Sequence, residues 1–422
     1  MSATVTAEKA TPPAPTRSRR MSLPRVLLLL SGALLALCAV RVITGADNIT
    51  GSSQIAAALS LAVPIGLAGL GGLWAERAGV VNIGLEGMMI LGTFFGAWAG
   101  YQWGPWTGVL VGVLAGALGG LVHAVATVSF GVDHIISGVA INILALGATS
   151  YLAKRWFEPL AHLGASPKQS PAVDDLPSFT VPGLSDGLKS LESHHWFLVS
   201  DLAGILGGLV TNVSALTALT VLLVVGSYFV LWRTPFGLRL RSCGENPLAA
   251  ESLGVNVYLY KYAAVATSGA LAGLGGVFLA MVRSHIYNEG QTGGRGYIGL
   301  AAMIFGNWRP GGLAAGAGLF GYSDALQLRN GGTTVHALLL LIAVVLVLLA
   351  VWKIYRKSYL TGAVSAGFAV LVLVWYFMTD TVPNEMVGAT PYVVTLLVMA
   401  LAAQKLRMPK YNNKPYRKGQ AG

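Results

Sequence analysis

Four polar or ionisable residues stand close together in an otherwise apolar stretch: Glu76, Arg77, Asn82 and Glu86, within residues 74–96, WAERAGVVNIGLEGMMILGTFFG. A carboxylate or amide in such surroundings costs free energy, so each is a functional candidate by default. Two readings of Glu86 stay open. It lies just inside a helix start, where the dipole favours negative charge by about 0.3–1 kcal/mol, or it lines a route for a polar solute. Asn142 and Asn307 share with Asn82 a place near helix starts or interruptions. Such amides either cap and cross-link helices or hydrogen-bond a solute. The other ionisable residues in apolar runs, His123 and Asp324, form no relay of the kind a proton-driven pump uses. His123 reads as a packed histidine, and His194-His195 as part of a solvated loop without a spaced third metal ligand. The chain has no G-x-x-x-x-G-K-[ST] for nucleotide phosphates, no H-E-x-x-H for zinc and no G-x-S-G nucleophile motif. Nothing in it reads as an enzyme, a cofactor site or a metal site.

The elements that position these residues follow from composition. Of 422 residues, 54% are hydrophobic and only 11% charged, with 54 glycines and a mean hydropathy of +0.65. Soluble domains average about 25% charged residues, so the chain reads as an all-α polytopic membrane protein. The net charge of +11 is no nucleic-acid signature, because the basic residues gather between apolar runs and at both ends. Two cysteines, Cys38 and Cys243, give no disulfide framework.

Residues 1–25 are basic and Pro/Ala/Thr-rich, and read as a disordered cytoplasmic arm. Runs of about 20 apolar residues, the length a bilayer demands, follow at 26–44 (an uncleaved first helix with Arg41 snorkelling at its end), 54–73, 82–101, 106–128 and 134–153. Residues 154–201 read as a polar external loop, and 209–232 as the next crossing. A long basic loop at 233–261 precedes runs at 262–282, an interrupted pair at 297–305 and 313–326, then 335–352, 363–378 and 391–403. The basic tail occupies 405–418. Threading predicts about twelve crossings within a 26–404 membrane domain, with both termini cytoplasmic by the positive-inside rule.

Two short matches recur in order: LAGLGG at 67–72 and 271–276, and IGLEGM at 83–88 against IGLAAM at 298–303. On the threading the copies run in opposite directions, an inverted repeat of the kind that places substrate near the midplane. In the basic loop, Asn246 suits an N-cap, Pro247 the first helical position and Gly254 a left-handed exit. These signals predict a short helix on the cytoplasmic face and a surface for a soluble partner.

The motifs ERAGVVNIGLEGMM (76–89), GLRLRSCGENPLAAESLGVNV (237–257), SGALAGLGG (268–276), GRGYIGLAAMIFGNWRPGG (294–312) and KPYRKG (414–419) resemble, in order, one family. It is the permease subunit of bacterial ABC importers for nucleosides and simple sugars, within the ribose/branched-chain amino-acid permease group. The resemblance covers most of 54–330 and resumes at 391–419, with 335–378 as an extra helical pair. It implies that Gly244, Glu245, Asn246, Pro247, Ala249, Ala250, Glu251 and Gly254 form a coupling helix docking on a separate ATP-hydrolysing subunit. ATP and magnesium would bind that subunit and not this chain. The other implied partners are a second permease, identical or homologous, and an extracytoplasmic substrate-binding lipoprotein. The resemblance further implies alternating access in a bacterial plasma membrane, with Asn82, Glu86, Asn142 and Asn307 as substrate-path candidates. An ion-coupled secondary transporter, a channel and a branched-chain amino-acid permease remain the alternatives.

Overall fold

A computed structural model describes residues 23–328, 331–393, 396 and 406–419. Most of the expected arm at 1–25 and of the crossing at 391–403 lies outside the described residues. The described helices are α1 (Leu23–Thr44), α2 (Ser52–Arg77), α3 (Leu85–Trp103), α4 (Pro105–Ala124), α5 (His134–Phe157), α6 (Leu184–Ser193), α7 (Val199–Val210), α8 (Ala215–Arg233), α9 (Pro235–Glu245), α10 (Pro247–Ser252), α11 (Val257–Phe278), α12 (Arg295–Phe305), α13 (Pro310–Leu328), α14 (Gly332–Tyr355), α15 (Tyr359–Met378) and the single turn α16 (Asn384–Val387). Among the described residues, seven helical stretches are long and apolar enough to cross a membrane. The helices α3 and α13 have 19 residues each but are less apolar.

Helix boundaries follow local chemistry. Asp133 caps α5 by accepting the Ile135 and Ile136 amides, and Thr234 caps α9 with Pro235 at its first position. The centre of the molecule is the pair α2 and α11, whose apolar windows are 72% and 78% buried, against 11% for α15. They pack on α3, α4, α12 and α13, while α14 and α15 form a peripheral hairpin. Close approach of backbones does the packing, as small-residue interfaces allow: a Cβ on Gly92 would collide with the Gly273 backbone, and one on Gly69 with the Gly299 carbonyl.

Four expectations are corrected. Residues 154–201 are not a plain loop: α6 and the start of α7 lie there, and Asp201 is fully buried. The following crossing starts at Ala215 rather than 209, because a two-stranded pairing of Ser178–Phe179 with Val213–Ser214 interrupts the chain beside Asn212 at φ +52°. The basic loop holds a whole helix, α9, ahead of the expected short one. Arg41 does not snorkel; it is buried and lies 2.8 Å from Asp201, tying α1 to α7.

Candidate functional site

Two breaks in the helical pattern, after α2 and after α11, meet. After α2, residues 78–84 run without helix to α3, whose N-terminus carries Glu86. After α11, residues 284–294 lead to α12. The Glu86 carboxylate joins them: Oε1 accepts the Gly294 amide at 2.9 Å and Oε2 the Gly296 amide at 2.7 Å. It therefore neutralises the orphan N–H groups at the start of α12, where a negative charge is most favourable. No Cβ fits at Gly296, whose Cα lies against the Glu86 backbone. Asn142 of α5 does the same for α3, its Oδ1 accepting the Gly87 amide at 2.7 Å while Nδ2 donates to Ile83 O and to the Tyr297 hydroxyl at 2.8 Å. Asn82 donates to Ser268 Oγ at 2.9 Å, and its buried Oδ1 has no hydrogen-bond partner. The structure thus brings Asn82, Glu86 and Asn142 together. All three are buried, and the break reaches the surface at Tyr297, whose ring is 46% exposed. Since α12 has 11 residues at about 1.5 Å each, the junction lies roughly 16 Å from its far end, near half of a ~30 Å hydrocarbon core.

Asn307 is elsewhere. It follows the C-terminus of α12 at φ +55° and accepts the Arg407 amide at 2.8 Å. Its neighbour Trp308 donates Nε1–H to Glu76 Oε2 at 2.6 Å, while Arg77 donates to the Trp308 carbonyl. The opening polar pair Glu76 and Arg77 thus clamps the end of α2 to the end of α12.

The basic loop folds as a ledge at the same end. Asn246 Oδ1 accepts the Ala249 amide at 3.1 Å, Pro247 opens α10, and Gly254 leaves it at φ +80°. Pro247 and Ala250 are buried, whereas Glu245, Asn246, Ala249 and Gly254 are exposed and Glu251 is half-buried. Gly244 packs directly on the Arg77 carbonyl, where a Cβ could not fit. Leu253, 84% exposed at the tip, was not among the residues expected from the sequence; neither were Tyr297 and Trp308. At the opposite end a cleft of about 410 Å³ opens between α2, α8 and α11, lined by Ser60, Asp175, Ser214, Thr217, Phe278 and His285 among others. The Asp175 carboxylate meets His285 Nδ1 at 2.8 Å across its rim.

The family described as "Branched-chain amino acid transport system / permease component" matches residues 54–351. The chain is 33% identical over 373 residues to the guanosine ABC transporter permease protein NupQ of Bacillus subtilis, covering 86% of this chain and 96% of that one. It is 33% identical to the nucleoside ABC transporter permease protein NupC of Lactococcus lactis, covering 67% and 85%. It is 34% identical to a putative glucose ABC transporter permease protein, TsgC13, of Haloferax volcanii, covering 63% and 73%. No solved structure gives a significant match.

Proposed function

The chain belongs to the branched-chain amino acid transport system / permease component family, and from that premise we propose that it carries nucleosides through the membrane for an ABC importer. It is a multi-pass membrane permease subunit and not the ATP-hydrolysing chain. Nucleosides are favoured by the solutes of two of its relatives; a simple sugar is the competing solute. The observation that carries the mechanism is the ledge: a capped helix with an exposed leucine at its tip, seated through Gly244 on the end of α2.

Orientation follows from charge. Arg233, Arg239, Arg241 and Lys261 surround the ledge, and basic loops stay cytoplasmic, so the ledge and both termini face the cytoplasm across about twelve crossings. An inverted repeat accounts for the packing. Gly69 of the first LAGLGG lies on α12, and Gly276 of the second lies on the Met89 backbone of α3, so each copy embraces the other's second half. The break at Asn82, Glu86 and Asn142 lies on the path. In this arrangement Glu86 and Asn82 hold the helix ends, Asn142 and Tyr297 form the edge that solute meets, and Asn307 marks the cytoplasmic exit. The outer cleft receives solute from a substrate-binding lipoprotein, and a second permease, identical or homologous, completes the core. The peripheral hairpin of α14 and α15 is an addition outside the path.

Two measurements test this reading. Leu253→Asp places a charge at the tip of the ledge; it is expected to abolish co-purification of the ATPase subunit and ATP-dependent uptake while membrane insertion is unchanged. Normal capture by that variant would refute the ledge. Tyr297→Ala removes a half-exposed ring able to stack on a base, worth about 1–3 kcal/mol, so the KM for nucleoside uptake in proteoliposomes is expected to rise by about 5–150-fold. An unchanged KM would remove Tyr297 from the path. Uptake that persisted without ATP and collapsed with an uncoupler would favour the ion-coupled alternative.

A further inference from the structure

A basic tail next to a membrane is ordinarily solvated. Here residues 407–416 lie across the ledge in an extended and turning path with no regular helix or strand. Their contacts reach three separate elements. Arg407 N donates to Asn307 Oδ1. Tyr411 N donates to the Gly244 carbonyl at 2.9 Å, and Lys410 N to Glu245 Oε2 at 3.4 Å. Asn412 Nδ2 donates at 2.8 Å to Glu76 Oε2, the same oxygen that accepts Trp308 Nε1.

The tail's last anchor is Tyr416, buried against Cys243, Ala250 and Val257, with its ring 5.5 Å from that of Tyr258. The Lys261 ammonium, also buried, has the Tyr411 and Tyr416 rings each at 5.9 Å. Fixing a chain costs about 1–2 kcal/mol per residue in backbone entropy, a cost that these contacts must together offset. Pro409, Asn412 and Tyr416 are buried and Tyr411 is half-buried, whereas Lys410, Lys414 and Arg417 stay exposed.

We propose that residues 407–416 are a coupling strap: they bind the α10 ledge and the inner ends of α2 and α12 into one body, so that a load applied at the ledge reaches the Glu76–Trp308 clamp. Asn412 and Tyr416 are its positioning residues. The inference rests on the reading of the ledge as the ATPase contact. It goes beyond that reading in assigning transmission to the tail and not to the Gly244–Arg77 contact alone.

The test uses the complete complex in proteoliposomes, reading solute moved per ATP hydrolysed. Asn412→Ala cuts the link to Glu76, and Tyr416→Ala releases the far anchor. Both are expected to keep the ATPase subunit bound and hydrolysing while the solute-to-ATP ratio falls roughly tenfold, the scale of a modest coupling free energy. A tail that merely stabilised the fold would lower the amount of complex and leave that ratio alone. A second readout uses Cys243 as the sole thiol in a Cys38→Ser background. Burial pushes the Cys243 thiol up to about 11, so it should resist maleimide in the intact strap and be labelled in Tyr416→Ala. An unchanged ratio in both variants, or equal protection of Cys243 with and without Tyr416, overturns the strap. Failure of the ledge itself would instead appear in the Leu253→Asp variant, with the tail intact.

Discussion

Replacing Asp201 with alanine is expected to lower the stability of the folded chain by about 3–5 kcal/mol, the usual cost of breaking a buried ion pair from one side. Asp201 is fully buried, and its oxygens serve three groups: Arg41 Nε at 2.8 Å, the Thr50 hydroxyl at 2.6 Å and the Leu198 amide at 3.2 Å. Without the carboxylate, the buried Arg41 guanidinium keeps only Asp47, whose side chain is 57% exposed. Water screens that contact, so it recovers little of the loss. The Arg41 Nε contact with Asp201 is close but poorly aligned as a hydrogen bond, so its strength is mainly ionic. Thermal unfolding of the purified protein in detergent measures the effect. The double variant Arg41→Met with Asp201→Asn is expected to regain most of the stability, since it removes both charges, keeps one acceptor for the Leu198 amide and lets its Nδ2 donate to the Thr50 hydroxyl oxygen. If Asp201→Ala melted indistinguishably from wild type, the pair would carry no such weight.

This pair also marks where sequence reasoning stops. An arginine at the end of an apolar run reads as snorkelling, because nothing local names a partner; the partner sits in a stretch whose prolines and charges read as loop. The ledge was legible for the opposite reason. Asn246, Pro247 and Gly254 act on their immediate neighbours, so cap, start and exit could each be placed without tertiary information. Seven of the expected crossings were legible from length and hydropathy and are found as helices of membrane length among the described residues, although α9 was missed because its Arg239 and Arg241 conceal a helix that packs through Leu240 and Cys243. Glu86 and Asn142 stood out as costly polar residues, but what they do depends on amides far along the chain, as with Gly294, 208 residues from Glu86. Tyr297 and Trp308 passed unnoticed because an aromatic residue in an apolar run looks like core until its exposure or its partner is known. The tail showed only its charge, whereas its backbone amides and the inward side chains of Tyr411, Asn412 and Tyr416 carry the contacts.

The break and the ledge bear on one another through α12. Its first turn is held by Glu86 and its last by the Glu76–Trp308 clamp beside the ledge. Any displacement of the clamp along α12 must be absorbed at Glu86 or transmitted through it. Glu86→Ala is therefore expected to have the larger effect of any single substitution at the break. It leaves the buried Gly296 amide unpaired, at roughly 1–3 kcal/mol, and the half-buried Gly294 amide at less, and removes the charge that offsets the α12 dipole. Glu86→Gln keeps one acceptor but turns an N–H₂ toward an N–H, so it should fall between alanine and wild type. Because Glu86 holds helix ends, both variants should lower the maximum uptake rate by the same factor for purine and pyrimidine nucleosides and leave each KM in place. A KM that changed for one class and not the other would mean that the carboxylate contacts solute directly. The comparison of Glu86→Gln with Tyr297→Ala then separates the residue that holds the junction from the one proposed to meet solute.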